Sequence, residues 1–146
     1  MKRAVYSGLV SGLMITLLAG CAQVSVRPVD DITPLTNTYW MLQEVAGQSV
    51  PANMQPKPSL LMADDGNVYG NTGCNEIQGR YQVATTQVRF TAMSATRKFC
   101  QNNSIEQPFL QALEDAAGVT LDGDTMILRE ADATALATFK AAKRNR

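Results

Sequence analysis

The sequence predicts a mainly β domain, a small antiparallel barrel-like sheet of about seven or eight strands with one α-helix, stapled by a disulfide. Three observations carry this expectation. Apolar residues recur with period two in short runs separated by turn residues, as half-buried strands require. Only the stretch between Ile105 and Ala117 places apolar residues at helical spacing. The chain has 146 residues, 45% hydrophobic and 18% charged, enough for one core and too few for two. A closed sheet is favoured over an open one because closure removes unpaired edges.

The elements follow in order. Tyr39 to Val45 reads as a strand with Trp40 and Leu42 on one face and Met41 and Val45 on the other. Ser59 to Ala63 and Asn67 to Gly70 flank Asp64, Asp65 and Gly66, where Asp-Gly supplies the positive φ of a tight hairpin. Glu76 to Val83 and Gln87 to Thr91 form a second pair around Ala84 to Thr86, with Val88 and Phe90 on the face opposite Arg89. The helix carries a stripe of Phe109, Leu110, Leu113, Ala116 and Ala117 opposite Gln111, Glu114 and Asp115, and should lie on or plug the sheet. Two capping boxes compete for its start, Asn103 with Glu106 and Ser104 with Gln107, while Pro108 prefers the first turn and Gly118 is the expected stop. Thr125 to Glu130 and Ala135 to Lys140 make the last pair, across Ala131 to Ala133.

Before this domain stands a label. Lys2 and Arg3 precede a charge-free, largely apolar run from Ala4 to Leu18, the build of an export signal over residues 1–20. The run is shorter than the ~20 apolar residues of a spanning helix. Leu18, Ala19, Gly20 and Cys21 resemble the bacterial lipobox, which implies cleavage before Cys21 and its acylation; more than one acyl chain anchors stably without spanning. Ala22, where an aspartate is absent, resembles the pattern that sends such lipoproteins to the outer membrane. Residues 21–37, with Pro28, Pro34, Asp30 and Asp31, read as the lipidated cysteine and a flexible tether able to extend roughly 50 Å. The domain is expected over residues 38–140. A basic tail, 141–146, carries Lys143, Arg144 and Arg146 after Lys140.

Thirteen basic and thirteen acidic residues balance, so no whole-chain field exists to hold nucleic acid. Loss of residues 1–20 removes Lys2 and Arg3 and leaves a formal charge of minus two. The chain has no histidine, which removes the usual general base, the commonest zinc ligand and any Ser-His-Asp or Cys-His pair. Asp122, Gly123 and Asp124 invite a calcium loop, but the twelve-residue spacing fails and a hairpin turn fits better. No metal or cofactor is expected.

Two segments carry the most specific pattern. Gly70, Gly73, Cys74, Asn75, Gly79 and Tyr81 stand in GNTGCNEIQGRY, and Met93, Thr96, Arg97 and Cys100 in MSATRKFC. With Trp40, Leu42 and Gly47 before them and Glu106, Phe109, Leu110 and Leu113 after, they resemble the META-domain (HslJ-like) family over essentially all of Thr38 to Lys140. The resemblance implies a compact envelope protein with an antiparallel β barrel and a helix, often lipid-anchored and associated with heat shock and antibiotic tolerance. It brings no enzymatic reaction and makes Trp40, Gly70, Gly73, Asn75, Gly79, Tyr81, Met93, Thr96 and Arg97 structural. From the residues themselves, Gly70 and Gly73 suit positive φ or close backbone approach, and Asn75 can bond its own backbone there. An anion-binding nest at Gly73 to Asn75 is the sharper alternative, without the lysine and helix of a phosphate loop.

Cys74 and Cys100 are the cysteines left once Cys21 is acylated, and export places them in an oxidising compartment, so a disulfide between them is the default. A redox-active pair would want a C-x-x-C spacing that is absent. Thr96 as a nucleophile lacks a base, and Thr96 and Arg97 are expected to bond a strand or loop end near the disulfide. Met54, Met62, Met93 and Met126 are expected as core filling.

The sequence thus points to a non-enzymatic, monomeric lipoprotein held at the outer membrane by Cys21, facing the periplasm and supporting envelope integrity or stress tolerance by binding an envelope protein or lipopolysaccharide. A pilotin-like or chaperone-like escort, using a barrel groove for an apolar helix or tail, is the rival. An enzyme working through carboxylates such as Glu76, Asp64 or Asp65 ranks third, with a small inhibitor also conceivable.

Overall fold

The computed structural model describes residues 32–101 and 103–142. The export label, Cys21, the tether as far as Asp31, and Lys143, Arg144 and Arg146 lie outside the described residues. Among the described residues nine strands and one helix follow in order: β1 (Tyr39–Val45), β2 (Gln48–Ser49), β3 (Ser59–Met62), β4 (Asn67–Asn71), β5 (Glu76–Ala84), β6 (Gln87–Ala95), α1 (Glu106–Asp115), β7 (Gly118–Asp122), β8 (Thr125–Arg129) and β9 (Ala135–Ala141). All pairings are antiparallel, and β1 pairs with both β3 and β9, which closes the ring. The two-residue β2 folds back on the end of β1 through Glu44↔Ser49 and Val45↔Gln48.

The strands other than β2 turn most of their apolar positions inward. Trp40, Leu60, Met62, Val68, Met126, Leu128 and Phe139 are fully buried. Phe109 of α1 meets Phe139 at 5.8 Å between ring centroids, so the apolar face of the helix packs into the core that the sheet lines. Met62 and Met126 are wholly buried, with Met54 and Met93 partly buried against the same cluster, the filling role a flexible thioether suits. The ring is thinnest where α1 is inserted: β6 and β7 share the single ladder pair Gln87↔Gly118, supported by Val88 N–H to Ala117 O and Val119 N–H to Thr86 O.

Three local expectations are corrected. Val45 does not face away from Trp40 and Leu42; all three are buried together. The register against β9 shifts between Leu42 and Glu44, so Gln43 is an extra residue, and a bulge of this kind returns the next apolar position to the inside. Gly118 does not stop the helix. Ala116 is already extended at φ −62° and ψ 122°, and Gly118 opens β7, because Ala117 donates to Arg129 O and is drawn into the sheet. The segment expected to be tether to its end joins the domain from Thr33: Thr33 N–H bonds Gly123 O at 2.9 Å, Asn37 N–H bonds Met62 O at 2.8 Å, and the Trp40 indole donates to Leu35 O at 2.9 Å.

Antiparallel connectivity gives the barrel two distinct ends. At one lie the β3–β4, β5–β6 and β7–β8 turns, together with Thr33–Asn37 and the last described residues, where Ala141 N–H bonds Asp124 O and Ala142 N–H bonds Tyr39 O. The chain enters and leaves here. Tyr81 closes this end by donating its hydroxyl to Ala63 O at 2.7 Å. Burial, reinforced by Asp64 and Asp65, raises the phenol above its ordinary pKa. At the other end lie the β1–β2 turn, the β2–β3 loop, the β4–β5 turn, the β6–α1 connection and the β8–β9 turn. No helix among the described residues is long and apolar enough to cross a membrane.

Candidate functional site

The β4–β5 turn and the β6–α1 connection meet at this second end and are joined there twice. Cys74 and Cys100 form a disulfide with Cα atoms 6.2 Å apart. Beside it Asn75, only 3% exposed, satisfies its whole side-chain amide. Its Oδ1 accepts from Lys98 N–H at 2.7 Å and from the Thr96 hydroxyl at 2.8 Å. Its Nδ2 donates to Lys98 O at 3.3 Å and to the Glu106 carboxylate at 2.9 and 3.0 Å. One asparagine side chain thereby pairs with both backbone groups of Lys98, as a neighbouring strand would.

Glu106, in the first turn of α1, anchors the other side. Its Oε2 also accepts from the Thr72 hydroxyl at 2.8 Å and from Asn103 Nδ2 at 3.1 Å, and its own N–H bonds Asn103 Oδ1 at 3.3 Å. Neither candidate capping box forms: the helix starts after Ile105 without a side-chain cap, and Asn103 and Glu106 meet through the Asn103 side-chain amide instead, with the carboxylate at the favourable end of the helix dipole. Thr72, fully buried, accepts from Asn75 N–H at 2.9 Å, and Thr96 accepts from Glu76 N–H at 3.1 Å. Among the described residues no buried side-chain polar atom lacks a partner.

The glycines of the motif make these approaches possible. Gly73 has φ +90°, and its amide bonds Asn71 Oδ1 at 2.7 Å. With that amide and the Asn75 amide both committed to side-chain oxygens, the anion nest has lost two of its donors. Gly70 lies so close to β3 that a Cβ would overlap Ser59 O and press Ile77 at 3.0 Å. Gly79 sits under Met93, whose sulfur a Cβ would overlap. Here the β5–β6 register shifts between Gln78 and Arg80, and Ala92, at φ +51°, marks the extra residue. Trp40 and Tyr81 complete the motif from inside the barrel, away from this end.

Arg97 stands apart from its motif neighbours. It is exposed and makes no side-chain hydrogen bond or ion pair among the described residues, whereas the sequence reading expected it to bond a strand or loop end. Lys98 reaches Glu76 only at 3.9 Å, with both side chains more than half exposed, a weak and screened pair. Between Lys98 and Cys100, Phe99 is 90% exposed. Sequence reasoning passed over Phe99, Thr72 and the cross-chain role of Glu106. The Asn103-x-x-Glu106 box marked the glutamate as a cap, but no local pattern could tie it to Asn75, 31 positions away.

The other carboxylates do not assemble. Asp64 and Asp65 lie in the β3–β4 turn, while Glu76 pairs with Asn71 at the opposite end of β4, so they share no cleft. Asp65 instead accepts from Asn67 N–H at 2.9 Å and from the Asn67 side chain, which hold its carboxyl below its ordinary pKa. Asp122, Gly123 and Asp124 make the β7–β8 turn, with Gly123 at φ +57° and Asp124 paired to Lys140. Only one face of α1, with Phe109, Ala112 and Leu113, packs into the core of the barrel, and Gln111, Glu114 and Asp115 on its other face are exposed. Two open depressions flank the disulfide end, one of about 270 Å³ lined by Asn75, Lys98, Phe99, Cys100 and Glu106, and one of about 440 Å³ lined by Tyr69, Glu76, Gln78, Ser94 and Thr96.

The model of the META domain family matches residues 33–143. Among solved structures, an NMR structure of a protein from Burkholderia xenovorans is similar at 27% identity, over 75% of this chain and 85% of that one, with a TM-score of 0.60. A second NMR structure, 21% identical over 70% of this chain and 87% of the other, has a TM-score of 0.58. A crystal structure of a DUF4847 family protein from Bacteroides vulgatus shares the fold at 15% identity, over 76% and 96% of the two chains, with a TM-score of 0.57. No curated protein matches the chain.

Proposed function

From the premise that the chain belongs to the META-domain family, we propose that it is a non-enzymatic lipoprotein, anchored at the outer membrane through Cys21, that supports envelope integrity or stress and antibiotic tolerance by binding an envelope component. One observation carries this reading: the two ends of the barrel divide the work. Thr33 and Ala142 join the rest of the chain at one end, and the disulfide, Asn75 and Glu106 build a rigid surface at the other. A domain tethered by residues 22–32, whose maximum reach is about 35 to 40 Å, presents that rigid end away from its own anchor. Among the described residues the polar groups there satisfy one another, as a scaffold requires.

The test is complementation of a deletion strain under envelope stress and antibiotic challenge. Cys21→Ser, which removes acylation, should leave the domain folded and fail to complement. Full complementation by that variant would refute the anchored mode of action.

A further inference from the structure

We infer that the segment Arg97–Phe99 is the contact loop of this protein, and that it engages a protein partner offering an apolar pocket rimmed by carboxylates. The inference rests on the binding role proposed above and gives it a face and a chemistry.

Phe99 is 90% exposed, more than any other large apolar side chain of the described residues, next to a buried core that takes in every other phenylalanine. Such exposure in a slack loop would mean little. This loop is held on both sides of the ring: the Lys98 N–H and C=O are both bonded by Asn75, and Cys100 is bonded to Cys74. Thr96, one residue before Arg97, is fixed by Asn75 and by Glu76 N–H. An aromatic side chain whose backbone is already immobilised loses little further entropy on binding. Aromatic and arginine side chains are also the types that dominate binding hot spots.

The charges select the partner. Arg97 makes no ion pair among the described residues, Lys98 is weakly paired, and no acid lies between Thr96 and Cys100. Two adjacent cations, Arg97 and Lys98, directly before one exposed ring call for carboxylates beside an apolar cavity. A lipid surface is the less favoured occupant, because the loop lies at the barrel end opposite Thr33 and Ala142, and so opposite the anchor.

The test uses the full lipidated chain in cells, with a photo-crosslinking residue at position 99, at Tyr39 on the chain-entering end, or at Val83 on β5. The expected result is one recurrent protein adduct from position 99 alone, identified by mass. That protein, purified, should then bind the wild type at least tenfold more tightly than Phe99→Ser or Arg97→Glu, with the advantage of Arg97 shrinking as salt rises. Phe99→Ser should melt within about 3 °C of wild type, since the ring touches no core. Adducts from position 39 or 83 but not from 99 would overturn the loop while leaving a binding protein. No adduct from any position would overturn both. A blue shift of Phe99→Trp emission on vesicles of phosphatidylglycerol and phosphatidylcholine, without a protein adduct, would replace the protein partner with a membrane.

Discussion

Replacing Asn75 tests whether its amide is the keystone of the disulfide end. Asn75→Ala removes four partnerships at once, but the losses are unequal. Glu106 keeps Thr72 and Asn103, and Thr96 keeps Glu76 N–H, so the stranded pair is the Lys98 N–H and C=O. At roughly 1 to 3 kcal/mol for each group left unpaired, less what water recovers at this partly exposed edge, the cost should be about 2 to 4 kcal/mol. For a domain of about a hundred residues that is a fall of at least about 10 °C in Tm. Asn75→Asp keeps the shape and the two bonds accepted at Oδ1, yet turns two donated bonds into an oxygen facing the Glu106 carboxylate and Lys98 O. It should cost more than alanine at pH 7, because an isosteric repulsion is worse than a gap that water can enter. The sign of its pH dependence follows. The introduced carboxyl is uncomfortable when charged, so its folded pKa rises above the unfolded value; stability is lost at high pH and returns as pH falls through the folded pKa. Urea unfolding followed by circular dichroism between pH 4 and 8, with the disulfide intact, reads both effects. Equal and small losses for the two variants, or a flat pH profile for Asn75→Asp, would refute the keystone role.

Other perturbations separate the remaining contributions. Cys74→Ser and Cys100→Ser should each lose about 3.5 kcal/mol for a cross-link spanning 26 positions, and the double variant no more than either, as thermal unfolding would show; additive losses would count against a shared bond. Gly79→Ala should destabilise by about 1 to 3 kcal/mol and be partly rescued by Met93→Ala, whereas Gly70→Ala, blocked by the Ser59 carbonyl, should find no side-chain rescue. Asp65 and Asp132 have carboxyls lowered by backbone N–H bonds from Asn67 and Thr134, so their contribution is present above the ordinary carboxylate pKa and fades as pH falls through the folded values. Asp65→Asn and Asp132→Asn should therefore flatten the acid limb of a Tm against pH curve. Tyr81, with its phenol pKa raised, makes the fold lose stability as pH climbs past about 10, and Tyr81→Phe should blunt that loss while costing about 1 kcal/mol at pH 7.

What the sequence determined by itself was whatever physical chemistry writes locally. Alternation in Ser59 to Met62 and Gln87 to Phe90, the Asp65-Gly66 turn and the Phe109–Leu113 stripe each depend on neighbours within a few residues, and each is where the pattern put it. The family pattern was equally legible, because it is a spacing of residue types. Strand β2 escaped because two exposed residues carry no apolar signal, and β7 because Gly118–Asp122 is short and follows a helix whose stripe runs into it. The inward position of Val45 depended on a bulge at Gln43 that only pairing with β9 reveals. The same holds for the site. The sequence could mark Asn75, Thr96, Cys74 and Cys100 as members of one motif, but closure of the barrel brought the β4–β5 turn against the start of α1 and made Glu106 their common partner. That closure also placed the disulfide end opposite the end where the chain enters, and it left Phe99 in solvent beside a fixed backbone. Distances between residues 20 to 30 positions apart are set by which strands pair, and strand pairing is a property of the whole enclosed core, not of any window of the chain.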